Sequence, residues 1–230
     1  MFYFSPTYLI YMIPAFILMA LTSWYVKSSY NKWSRVPAQS RLTGAQAAQR
    51  LMSTGGMYGV QIQSVAGNLT DHYDPRNKTL FLSAGVANVA SVASVAIAAH
   101  ELGHAMQDAE DYFPLRFRSA LVPIVNIGSN LGWILIMIGL FLRFTEIAWL
   151  GVIVFAGGAV FALATLPVEF NASARAKQLL VQTGIIQTDE EQRGVNAVLN
   201  AAALTYVAGL VTAILQLLYY VSLVGGRRRG

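Results

Sequence analysis

The amino-acid sequence predicts a mainly α-helical, multi-pass membrane protein with about four transmembrane helices and a small polar region carrying a short antiparallel sheet. Three observations predict it. Of 230 residues, 55% are hydrophobic and only 12% are charged, whereas a soluble domain averages about 45–50% apolar and about 25% charged. Four apolar stretches, 8–26, 120–142, 147–166 and 202–224, approach or reach the roughly 20 residues that a helix needs to cross a bilayer. The polar residues concentrate between these stretches, in 40–118 and again in 167–200. A length of 230 residues fits one domain over 1–230.

Charge and cysteine content narrow the class further. The net charge is +5, and Arg227, Arg228 and Arg229 stand near the end of the last apolar stretch. Basic residues at the ends of apolar segments read as contacts to anionic lipid headgroups. No interleaving of aromatic and basic residues suggests a nucleic-acid groove. Cysteine is absent, so neither a disulfide framework nor a thiolate metal site is available.

The elements follow in order. Tyr8 to Val26 is apolar and interrupted by Pro14, which membrane helices tolerate. It lacks a positive leading region and a clear small-residue cleavage site, so it reads as an uncleaved anchor. Thr43 and Gln46 form a capping-box pattern that opens a short helix through about Met52, ended by Gly55-Gly56. Tyr58 to Val65 alternates as a strand does. A turn with Pro75 at its second position leads into a second strand, Thr79 to Ser83. Ala84 to Asp108 reads as one long helix whose small residues (Ala, Ser, Gly and Val) let neighbours approach closely. The stretches 120–142 and 147–166 are separated by four residues, Arg143 to Glu146, and form a hairpin of spans.

Residues 100 to 104 read His100-Glu101-Leu102-Gly103-His104. On a helix, positions i and i+4 share a face. Two imidazoles there can hold one zinc ion, and the intervening glutamate then stands beside the open position, where it can take a proton from an activated water. A charged glutamate and two histidines at the end of an apolar helix are costly without a purpose.

Catalytic zinc usually has three protein ligands. Glu169 follows the third span directly, and the hairpin of spans returns the chain to the side carrying His100 and His104. The alternative for Glu169 is an ion pair with Arg175 or Arg118. The run Asp189-Glu190-Glu191 reads as a solvated face. Asp108, Glu110 and Asp111 lie past the metal face of the helix and are expected to face the headgroups. His72, the remaining histidine, has two readings: a turn residue bonded to Asp71 or Asp74, or a hydrogen-bond donor to the oxyanion of a tetrahedral intermediate.

With the downstream Glu-Phe-Asn-Ala-Ser and the preceding Asp-His-Tyr-Asp-Pro, the chain resembles the YugP-like neutral zinc metallopeptidases of bacterial membranes over nearly its whole length. It is more distantly similar to the HtpX-type and CAAX-prenyl membrane proteases, whose third ligand lies in a Glu-x-x-x-Asp pattern. The resemblance places Glu169 at the ligand position. Ser173 stands where those proteases carry an Asp that orients a ligand histidine, and a hydroxyl is the weaker acceptor.

The expected function is that of a membrane-bound zinc endopeptidase with a zincin-like core. His100, His104 and Glu169 hold Zn2+, Glu101 acts as base, and an edge strand binds an extended peptide. Its setting is membrane-protein quality control or processing. The expected partners are a peptide or membrane-protein substrate and the lipid bilayer, with a second copy or another membrane protein as further candidates and no nucleic acid. A protease cutting within the bilayer would carry an Asp ligand deep in a later span, and the spans from 120 to 166 contain none. A non-enzymatic zinc scaffold or assembly factor is the rival class, and it has no use for Glu101. Twelve of the 16 Lys and Arg fall in 27–118 and 167–201. The positive-inside rule therefore puts this region, with the site near the membrane surface, on the cytoplasmic side of a bacterial cell membrane.

Overall fold

The computed structural model describes residues 5–57 and 59–226. Helix α1 runs Pro6–Trp33 with Pro14 inside it. Helix α2, Gly44–Thr54, opens on the expected box: the Thr43 hydroxyl accepts from the Gln46 N–H, and the Gln46 side chain accepts from the Thr43 N–H. Gly55 caps its C-terminus.

Strands β1 (Gln61–Val65), β2 (His72–Asp74) and β3 (Thr79–Ser83) form one sheet in the order β1-β3-β2. Tyr58, where the first strand was expected to begin, lies outside the described residues. The sheet is mixed: β1 and β3, the two strands expected to pair antiparallel, run parallel, and the antiparallel partner of β3 is β2, an unexpected strand just before the Pro75 turn. The central strand β3 has four of its five residues buried, as suits a strand paired on both edges. Asp71 ties the β2 end to the end of β3, accepting from the backbone N–H of Ser83 at 2.7 Å and from its hydroxyl at 3.0 Å.

The single helix expected over 84–108 is two: α3, Ala84–Ala87, and α4, Val92–Ala109. The chain leaves the helical path between them because residues 90–92 pair with residues 36–38. Pro37 and Ser91 form a β-bridge, the Ala38 N–H bonds to Ala90 and the Val92 N–H to Val36. Ser91 then restarts the helix as N-cap, its hydroxyl accepting from the Ser94 N–H.

The later helices are α5 (Phe113–Leu142), α6 (Thr145–Phe155), α7 (Gly157–Gln182) and α8 (Asp189–Gly226). Four helical stretches among the described residues are long and apolar enough to cross a membrane: Pro6–Trp33, Phe113–Leu142, Thr145–Gln182 and Asp189–Gly226. Apolar side chains such as Ile127, Phe141, Ile153 and Leu163 are exposed on them, as lipid-facing surfaces are. The helices overrun the expected spans. Helix α7 continues past Pro167 and includes Glu169.

The chain forms two compact units, one of Met1–Thr22, Arg116–Pro167 and Thr205–Gly230 and one of Ser23–Leu115 and Val168–Leu204. In the first, α5 and α6 pack backbone to backbone at glycine: a Cβ on Gly132 would lie 2.8 Å from the Phe155 nitrogen. Small residues at helix contacts are how membrane helices approach closely. In the second, Leu51, Leu102, Leu180, Ile185 and Leu199 share one core, each at most 2% exposed. Each such side chain stabilises the fold by about 1.5–3 kcal/mol.

Candidate metal centre

Helix α4 presents His100 and His104 on one face, and α7 crosses beside it. The crossing is close because position 103 is glycine: a Cβ there would lie 2.6 Å from the carbonyl oxygen of Ala172. This contact brings Glu169, three residues before Ala172, against the two imidazoles. Glu169 Oε2 lies 3.4 Å from His100 Nε2 and 3.6 Å from His104 Nε2. The three side chains are 11%, 13% and 2% exposed in the order His100, His104, Glu169. Their candidate ligand atoms lie within 4.8 Å of one another. Two imidazole nitrogens and one carboxylate oxygen are a donor set that suits zinc with a position left open.

Both imidazoles are held from behind. His104 Nδ1 is 3.0 Å from Gln107 Oε1. Gln107 is fully buried, and its amide nitrogen donates to the Val168 carbonyl at 2.8 Å and to Asn171 Oδ1 at 2.9 Å. Asn171 Oδ1 also accepts from Arg175 Nε at 2.7 Å, and the Arg175 guanidinium pairs with both oxygens of Glu110. His100 Nδ1 is 3.2 Å from Ser173 Oγ, so the hydroxyl does reach a histidine.

Glu101 sits between the two histidines in sequence. Withdrawal from water pushes its carboxyl above the usual range, partly offset by His100 and His104. Burial draws the His104 imidazole down, but the Glu169 and Glu101 carboxylates outweigh it and raise its pKa.

His72 is not part of this three-residue group. Its exposed ring stacks on Phe81 at 4.8 Å, and its Nδ1 bonds to the Thr70 carbonyl at 2.9 Å, not to Asp71 or Asp74. A carbonyl only accepts, so Nδ1 carries the proton and Nε2 donates only when the ring is charged. Arg175 pairs with Glu110, not with Glu169. Two acidic residues expected at the headgroups are engaged within the protein: Glu110 holds Arg175, and Asp108 accepts from the Tyr73 hydroxyl at 2.9 Å. Burial and the Asp108 bond raise the Tyr73 phenol far above its ordinary value. Glu191, expected on a solvated face, is 2% exposed. A cavity of about 430 Å³ lies beside α4, lined in part by Tyr73, Ala105, Met106 and Asp108.

A family model described as "Putative neutral zinc metallopeptidase" matches residues 8–225. The chain is 44% identical over 196 residues to a protein of Bacillus subtilis (strain 168) named "Putative membrane protease YugP", covering 85% of this chain and 87% of that protein. No solved structure matches.

Proposed function

The chain belongs to the family described as "Putative neutral zinc metallopeptidase", and from that membership we propose that it is a membrane-bound zinc endopeptidase acting in membrane-protein processing or quality control. The convergence of His100, His104 and Glu169 from two helices far apart in sequence carries the proposal. These three residues would hold the zinc, which when bound supplies Lewis acidity toward water and the scissile carbonyl. Glu101 takes the proton of the attacking water and returns it to the leaving amine. The edge strand β2 receives an extended peptide by strand addition, and the cavity beside Tyr73 leaves room for one of its side chains.

The purified protein is expected to carry about one zinc per chain. His104→Ala should lose it, and Glu101→Gln should keep zinc while losing cleavage of an unfolded membrane protein. Equal zinc in His104→Ala, measured by elemental analysis, sinks the site. Full cleavage by Glu101→Gln sinks the mechanism, and a zinc-loaded parent that cleaves nothing favours a scaffold. His72 is proposed to donate to the oxyanion in its charged form. Activity of His72→Ala within about threefold of the parent removes that role, since such donors are worth about 10²–10³ in rate.

A further inference from the structure

We infer that Gln107 is a positioning residue that selects the tautomer of His104. The inference rests on the zinc reading of the site and follows from which atoms can donate. Arg175 has donors only, so the Asn171 atom facing it is the oxygen. That oxygen and the Val168 carbonyl both accept, so the Gln107 atom facing them is its nitrogen, with both hydrogens used. The remaining Gln107 atom is an oxygen and faces His104 Nδ1. An amide oxygen cannot donate, so Nδ1 carries the hydrogen, and in the neutral ring that zinc requires Nε2 turns its lone pair toward the side where Glu169 lies. Turning the amide over would set its oxygen against two acceptors. Bulk solvent does not compete, because Gln107 is 0% exposed.

Two independent anchors hold this assignment: a backbone carbonyl on α7 and the chain that ends in the Arg175–Glu110 pair. His100 has no such device. Its Nδ1 meets the Ser173 hydroxyl, which donates or accepts with equal ease. The same Gln107 amide grips the carbonyl of Val168, the residue before Glu169. One side chain thus orients a histidine on α4 and pins α7 where the carboxylate departs.

The test is made in a Glu101→Gln background, so that no turnover is needed. Zinc is stripped and titrated back against a competing chelator. Gln107→Met, which lacks the acceptor, should bind zinc about 10–100-fold more weakly. Gln107→Glu keeps an oxygen facing His104 but sets another against the Val168 carbonyl. It should hold zinc within about threefold of the parent while melting at lower temperature, because a carboxylate is the stronger acceptor. A purely structural role for Gln107 predicts the reverse order, with Glu at least as damaging as Met. The chain has three histidines, so ¹⁵N-histidine spectra of the zinc-loaded protein resolve a protected Nδ1–H on His104, which should exchange faster in Gln107→Met. Zinc affinity of Gln107→Met equal to the parent, or of Gln107→Glu as weak as Met, overturns the inference and leaves the zinc site standing. A parent that binds no zinc overturns both.

Discussion

At Glu191 a carboxylate closes backbone N–H groups. It accepts from Gln39, Gln187 and Thr188 and from the Thr188 hydroxyl, while Asp189 and Glu190 remain exposed. Burial alone would raise its pKa, but these donors outweigh it and hold the carboxyl below its usual value. Glu191→Ala is therefore expected to cost about 1–3 kcal/mol, since it strands buried donors, and Glu190→Ala less than about 0.5 kcal/mol. Because the folded pKa is depressed, the Glu191 contribution is complete above about pH 4.3, the ordinary glutamate value. It is lost as pH falls through the lower folded value. Thermal melts of parent and Glu191→Ala should thus differ at pH 7 and converge in acid, and a constant difference across that range would refute the assignment. Glu169→Ala, by contrast, should lose zinc. The histidine pair was legible because its geometry is local, four residues on one helix. Gln107 was not, because its partners stand 61 and 64 residues away and nothing in its neighbourhood marks it. Glu191 was misread although most of its bonds are local: Thr188 and Glu191 cap each other within three residues, a pattern open to sequence reading, and only the donor from Gln39, 152 residues distant, was not.

Helix α4 meets α7 at Gly103, and the contact is with backbone, which cannot rotate away as a side chain would. Gly103→Ala should force the helices apart by part of an ångström or more and destabilise the protein by about 1–3 kcal/mol, as overpacking does. It should also weaken zinc binding, since Glu169 rides on the displaced helix. A variant with parental melting temperature and full zinc would show that α7 has room to spare. The middle letters of His-Glu-x-x-His are thus not free here: Leu102 is fully buried in the core and Gly103 is the crossing point. The capping box at Thr43 was readable in the sequence because all its bonds lie within three residues. The break between α3 and α4 was not, because its cause is pairing with a segment some 50 residues earlier. Strand β1 was read from its alternation, but its parallel pairing with β3 escaped prediction similarly, since alternation reveals a strand but not its partner.

For the whole molecule, the four apolar stretches were plain in composition, although their helices extend further than hydropathy marks. Four spans would put residues 27–118 and 167–201 on one side, and the charge distribution predicts that this side is cytoplasmic. The opposing Arg227–Arg229 lie outside the described residues. The chain has no cysteine, so single cysteines report cleanly. Placed at Ser40 and Gln187, they should be shielded from an impermeant thiol reagent in intact cells, and one near Gly230 should react. Labelling of the first two from outside would reverse the orientation, and labelling of one alone would break the four-span topology. The proposed strand addition at β2 has a consequence for substrate capture. The strand is three residues long, so a docked chain gains about two backbone hydrogen bonds, each worth about 1 kcal/mol net. Such a grip is too weak to collect dilute peptides. Confinement of enzyme and substrate to one bilayer supplies what the strand lacks, by raising local concentration. The same cleavable segment should therefore be cut far faster when tethered to a membrane span than when free in solution. Equal rates at matched bulk concentration would show that recognition lies in contacts beyond β2.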